Sequence, residues 1–134
     1  MDDQEQRIKK ILGDVCEVGE ETASKYMKHL SNSIKSPCLL TGIEDFPWEE
    51  PYILGGGSPK EYEELKKENP SYEDKYELIE LLKPIDDEFE ILAKVKRIND
   101  NKIFKIGLSW LEPPDKNNPN YQLLYDYSVW HINY

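Results

Sequence analysis

The hydrophobic residues of the chain recur at helical spacing over its N-terminal quarter. Residues 4–34 carry apolar side chains three and four positions apart, which predicts helix. Gly13 and Gly19 interrupt this stretch, and because glycine is unfavourable inside a helix, they predict two helices rather than one. We expect the apolar stripe of these helices to face the core.

The middle of the chain is irregular. A short strand is predicted at 38–41 and another at 53–54, and between them Pro47 and Pro51 are expected to keep 43–52 out of regular helix. Ser58, followed by proline and by glutamate three positions on, predicts the start of a helix that runs to about Glu68. Residues 76–82 fit either a strand or a short helix.

The C-terminal third shows strand patterning. Apolar and charged residues alternate over 89–98, and a polar turn leads to the apolar residues of 103–106, which predicts a hairpin. A short helix or turn is expected at 121–127 and a last strand at 128–133. Together these elements predict a single α+β domain, residues 1–134, with N-terminal helices packed on a small, curled, antiparallel SH3-like sheet.

Charge narrows the function classes. The chain has 134 residues and a net charge of −10, which disfavours nucleic acid and anionic membrane surfaces as partners. The sequence has neither a signal-peptide pattern nor an apolar run long enough to span a membrane, so we expect a cytoplasmic protein. We also expect a monomer. Cys16 and Cys38 are expected to be reduced thiols, and His29 and His131 are too far apart to suggest a zinc site.

The excess negative charge lies in one stretch, residues 44–90, which we call the acidic window. It contains 16 acidic residues and five lysines. Carboxylate oxygens are the ligands that calcium prefers, although the sequence contains no EF-hand loop. The strongest candidate ligands are Asp45, Glu49 and Glu50, with Asp115 and Asp126 as candidates from outside the window. The run Asp86-Asp87-Glu88 fits either a second site or a solvated turn.

Two other interpretations of the acidic window stay open at this stage. It fits a solvated face that only keeps the protein soluble. It also fits an acidic interaction module, such as an immunity protein or a nucleic-acid mimic, that binds a basic partner. An enzyme is not expected, because no carboxylate pair is marked as acid and base and Cys38 lies in an apolar run, where burial makes a thiol inert.

Two segments carry a resemblance to a known family. Residues 38–52, CLLTGIEDFPWEEPY, and residues 120–130, NYQLLYDYSVW, together with the hairpin from Val95 to Leu108, resemble the small acidic calcium-binding proteins of cyanobacteria that act in heterocyst differentiation, and their bacterial relatives. The resemblance covers roughly residues 25–134. It implies a cytoplasmic calcium buffer that binds more than one ion without an EF-hand, with acidic family positions matched by Asp45, Glu49, Glu50, Asp115 and Asp126. Tyr125 stands where the family pattern has an acidic residue.

Overall fold

The N-terminal part of the chain forms two helices, as the spacing of its apolar residues predicts. The computed structural model describes residues 2–134, with helix α1 at Asp3–Leu12 and helix α2 at Glu20–Ser33. Asp2 caps α1 by accepting a hydrogen bond from a backbone N–H of its first turn at 2.7 Å. Gly13 ends α1 with a φ of 86°, which glycine adopts without strain. The predicted division into two helices is confirmed.

Five strands form one open antiparallel sheet in the order β4-β3-β2-β1-β5. They span Leu39–Gly42 (β1), Tyr76–Leu82 (β2), Leu92–Arg97 (β3), Ile103–Gly107 (β4) and Leu111–Glu112 (β5). The predicted hairpin is confirmed, with Val95 of β3 opposite Phe104 of β4. The ambiguous stretch 76–82 is a strand. With helices beside an antiparallel sheet, the α+β class is confirmed.

The remaining helical segments surround this sheet. They are a 3-10 turn at Pro47–Glu49, helix α3 at Glu50–Ile53, helix α4 at Pro59–Glu68, a second 3-10 turn at Leu108–Trp110, and helix α5 at Tyr121–Asn133. The predicted cap of α4 is confirmed, because the Ser58 hydroxyl accepts a hydrogen bond from the Glu61 backbone N–H at 3.3 Å.

The predicted strand at 53–54 is wrong. Residues 47–53 form the first 3-10 turn and the single turn of α3, with a proline in the first positions of each. A proline is tolerated there because the first turn of a helix does not use its backbone N–H groups. Pro47 and Pro51 therefore begin helical turns here rather than preventing them.

The predicted last strand at 128–133 is also wrong, because these residues complete α5. Leu124, Tyr127 and Trp130 are buried at helical spacing, so packing against the core overrides the strand preference of the β-branched and aromatic residues nearby. Asn120, just before α5, fixes the start of the helix. Its side-chain amide accepts from the Lys35 N–H and donates to the Lys35 carbonyl, both at 2.8 Å.

The core lies between the sheet and helices α1, α2 and α5. Helix α1 packs against α2 and α5, and α2 packs against β2. The ring of Trp130 lies 4.9 Å from that of Tyr26, measured between centroids, and both side chains belong to the same buried cluster as Ala93 and Val95 of the sheet. Within residues 2–134 the structure contains no helix with the length and apolar content needed to cross a membrane.

Candidate metal-binding site

The loop that carries Asp45 connects β1 to the first 3-10 turn and is held on both sides. The Ile43 N–H donates to the Trp110 carbonyl at 2.9 Å, and the ring of buried Phe46 meets that of Trp110 edge to face at 6.1 Å. On the other side, Gly42 lies so close to Tyr72 that a Cβ at position 42 would lie 2.5 Å from the Tyr72 Cα. Position 42 therefore requires glycine, and the close contact with Tyr72 fixes the backbone where the loop begins.

Glu49, one of the predicted ligands, is fully buried and already hydrogen-bonded. Its Oε1 accepts from the Tyr72 backbone N–H at 2.9 Å, and its Oε2 accepts from the Tyr62 hydroxyl at 3.1 Å. Burial raises the pKa of this carboxyl, and the two hydrogen bonds only partly oppose the effect. Glu49 thus joins the Asp45 loop to α4 and to the turn before β2, and binding a metal ion would compete with these bonds.

Asp45 and Glu50 lie differently. Asp45 is half-buried and Glu50 is exposed, and within residues 2–134 neither forms an ion pair. Negative charges around the loop affect the pKa of the Tyr72 phenol. Its pKa is raised first by burial and then by the negative charges of Glu73, Glu49 and Asp45. Three carboxylates therefore lie close enough to the Tyr72 phenol to raise its pKa.

Asp126 lies on α5 and is paired with α1. Its two carboxylate oxygens accept from the Arg7 guanidinium at 2.7 and 3.1 Å, and Oδ1 also accepts from the Gln4 amide at 2.9 Å. Only 4% of Asp126 is exposed. This geometry is that of a bidentate arginine–carboxylate pair, so the charge of Asp126 is largely satisfied inside the protein.

Asp115 and the run Asp86-Asp87-Glu88 are exposed on loops. Asp115 accepts from the Asn117 backbone N–H at 2.9 Å, and Asp86 accepts from the Glu88 N–H at 3.1 Å, as short polar turns do. Within the described residues, no three His, Cys, Asp or Glu side chains are grouped closely enough to hold an ion. The structure does not gather the five predicted ligands, whose role stays a prediction.

One acidic neighbour of the loop lies outside the acidic window. Glu112 of β5 is opposite Thr41 of β1 in the sheet. Glu44, Glu88 and Glu112 all line a cavity of about 410 Å³ between the second 3-10 turn and α5. No sequence signal indicates this grouping, because it depends on pairing between strands that are far apart along the chain, such as Gly42 with Leu111.

A buried network closes the inner side of the same cavity. Glu90 accepts from the Tyr127 hydroxyl at 2.5 Å, from the Ser109 N–H at 2.9 Å and from the Ser109 hydroxyl. The His131 ring lies beside it, with Nδ1 at 3.5 Å from the Glu90 Oε2. Every polar atom of this network has a partner within the protein, so we interpret it as a structural link between β3, the second 3-10 turn and α5.

Replacing Glu49 with glutamine is expected to keep the fold and to remove one source of pH dependence. The glutamine carbonyl can accept from the Tyr72 N–H, and its amide can donate to the Tyr62 oxygen. Because the folded-state pKa of Glu49 is raised, its stabilising contribution is complete below the ordinary glutamate pKa of about 4.3 and is lost as pH rises through the folded-state value. Urea unfolding from about pH 4 to pH 8 should therefore show a smaller decline in stability for Glu49→Gln.

The matched control for that experiment is Glu80→Gln. Glu80 is exposed on β2 and forms no ion pair within residues 2–134. Its variant should keep the wild-type dependence of stability on pH. If Glu49→Gln and the wild type show an identical dependence of stability on pH, the pKa of Glu49 is not raised in the folded protein.

Comparison with solved structures places the fold beside two known proteins. CcbP from Anabaena superposes with a TM-score of 0.59 and 17% sequence identity, over 95% of this chain and 87% of the other. A calcium-binding protein solved in its calcium-binding form superposes with a TM-score of 0.60 and 19% identity, over 96% of this chain and 89% of the other. No protein-family model and no curated protein sequence matches the chain. The chain therefore has the fold of these two proteins along nearly its whole length, and the resemblance inferred from the sequence is confirmed at the level of fold.

Proposed function

We propose that this protein binds calcium ions as cargo and buffers their free concentration in the cytoplasm. The observation that carries the proposal is the fold shared with a protein solved in its calcium-binding form, over 96% of this chain. The sequence resemblance to acidic calcium-binding proteins of cyanobacteria points in the same direction. Buffering is favoured over sensing because it requires only binding, whereas a sensor also requires a second conformation.

The distribution of ion pairs supports a cation as the ligand. Within residues 2–134, five of the 16 acidic residues in the acidic window pair with a lysine or arginine: Glu63, Glu64, Glu68, Asp74 and Glu77. A sixth, Glu90, lies beside the His131 ring, which is charged only when protonated. The other ten have no such pair. Four of them lie close together along the chain just after β1: Glu44, Asp45, Glu49 and Glu50. Like charges this close destabilise the compact state, and a divalent cation bound among them would reduce that repulsion.

Asp45 and Glu50 are the proposed ligands whose carboxylates have the fewest hydrogen-bond and ion-pair partners inside the protein. The loop between them is fixed by Trp110 and Tyr72, which lowers the entropic cost of bringing its carboxylates to one ion. Calcium accepts six to eight oxygens and tolerates irregular geometry, so backbone carbonyls and water would complete the shell. Asp115 is a further exposed candidate, whereas Glu49 and Asp126 would first have to release the partners described above.

Calorimetric titration with calcium at physiological salt tests the proposal. We expect saturable heat, and a higher melting temperature, because a ligand that binds only the folded state adds about 2.7 kcal/mol of stability at a concentration 100 times its Kd. Asp45→Asn removes one charged ligand and should weaken one site on the order of tenfold, without changing the melting temperature in chelator.

Glu80→Gln is again the matched control, since it removes one charge from the acidic window but lies on β2. It should leave the calcium affinity nearly unchanged. The absence of both heat and thermal stabilisation at millimolar calcium would rule out the proposal. An equal loss of stability in Asp45→Asn with and without calcium would show that Asp45 is a structural residue instead.

A further inference from the structure

Helix α5 carries two apolar stripes, and only one of them faces the core. Leu124, Tyr127 and Trp130 form the buried stripe. Tyr125, Val129 and Ile132 follow one another at helical spacing on the side towards solvent, where Tyr125 is 50% and Ile132 is 71% exposed. A surface helix normally presents polar side chains there, so this second stripe is unusual for a helix without a partner.

The outer stripe of α5 forms one wall of a groove, and the segment around β1 forms the other. Ile43, which is 44% exposed, and the half-buried Trp110 lie across from the helix and line the same cavity of about 410 Å³. The Ile43 N–H donates to the Trp110 carbonyl, which fixes these two residues relative to each other. The groove is therefore a preformed apolar surface rather than a gap between mobile loops.

The permanently charged side chains around the groove, which His131 also lines, are all acidic. Glu44, Glu88 and Glu112 line it, and among the described residues no lysine or arginine does so. Within residues 2–134 none of the three carboxylates forms an ion pair. An apolar floor bordered by carboxylates without a basic partner is complementary to a surface that combines apolar side chains with lysine or arginine.

We propose that this groove docks a cationic amphipathic segment of a partner protein, with apolar anchors on the outer stripe of α5 and basic side chains towards Glu44, Glu88 and Glu112. A second copy of this chain would bring the same carboxylates, and a net charge of −10, to the interface. The stripe extends along two turns of helix and is open to solvent, which suits a peptide segment better than an enclosed small molecule. This inference does not depend on calcium binding.

The probe is a fluorescein-labelled peptide of about 18 residues, made of leucine and lysine at helical spacing so that one face is apolar and the other basic. Its binding is measured by fluorescence anisotropy in chelator, which separates the result from the calcium proposal. Ile132→Ser should raise the Kd roughly tenfold, because it removes an apolar anchor. The double variant Glu44→Gln with Glu112→Gln should raise it roughly fivefold and reduce its dependence on salt.

Two variants of the same chemistry outside the groove are the controls. Ile85→Ser changes an isoleucine that is 84% exposed, in the connection between β2 and β3, and Glu64→Gln with Glu80→Gln removes two charges at exposed positions of the acidic window. Both should leave the Kd within about twofold of wild type. The proposal is overturned if these controls weaken binding as much as the groove variants do, or if a peptide of the same composition without helical spacing binds equally well. A dimer in sedimentation velocity that Ile132→Ser abolishes would also overturn it, by assigning the stripe to self-association.

Discussion

Replacing Arg97 with methionine is expected to lower the free energy of unfolding by about 3 to 5 kcal/mol, because it leaves two partly exposed carboxylates and three backbone carbonyls without their donor. The Arg97 side chain is only 3% exposed and pairs with Asp74 at 3.0 Å and with Asp100 at 2.8 Å. It also donates to three backbone carbonyls at and after the end of α4: Lys66 at 2.9 Å, Lys67 at 2.8 Å and Asn69 at 3.0 Å. Urea unfolding followed by circular dichroism measures the loss.

Asp100→Asn is the matched control for Arg97→Met. Asp100 is one-third exposed, and its substitution removes only one of the partners of Arg97. The variant should therefore lose much less stability than Arg97→Met. The hydrogen bond from Arg97 is the main cause that lowers the pKa of Asp100 to about 2. Its stabilising contribution is therefore complete above the ordinary aspartate pKa of about 3.9 and is lost as pH falls through about 2. Equal losses in the two variants would contradict a central role for the guanidinium.

Replacing Trp130 with alanine is expected to cost about 3 to 5 kcal/mol, the usual range for removing a buried tryptophan. Trp130 is fully buried in α5, and its ring packs against those of Tyr26 and Tyr127 at centroid distances of 4.9 and 5.8 Å. Its indole N–H donates to the Cys16 carbonyl at 2.7 Å, which ties the connection between α1 and α2 to the last helix. The variant loses both the packing and this tether, and thermal and urea unfolding should both report it.

Two variants on the same helix separate packing from the tether. Trp130→Phe keeps an aromatic ring but cannot donate to Cys16, so it should lose less than Trp130→Ala. Ile132→Ser, two residues on, changes an exposed side chain and should alter stability by no more than about 0.5 kcal/mol. A cost below about 1 kcal/mol for Trp130→Ala would show that α5 does not anchor the core in the way described.

The candidate site was only partly predictable from sequence. The Asp45 loop stands out because its carboxylates are close together along the chain and follow a strand. Sequence spacing does not reveal that Glu49 turns inward to Tyr62 and Tyr72, or that Asp126 is satisfied by Arg7. Both facts depend on contacts between distant segments. A count of acidic residues therefore identifies the region of highest charge, but it does not distinguish free carboxylates from those already bonded inside the protein.

Local sequence by itself determined the elements whose signals lie within a few residues. These are the break at Gly13, the cap at Ser58 and the hairpin of β3 and β4, because backbone preference, side-chain capping and strand alternation act over a single turn or a strand pair. Tertiary structure alone decided that 128–133 is helix. The residues there have strand propensity. Burying Tyr127 and Trp130 against α1, α2 and the sheet, however, contributes more free energy to folding than that local preference does. The same packing leaves Tyr125, Val129 and Ile132 on the outside, so the groove beside them is a consequence of the fold rather than of any local motif.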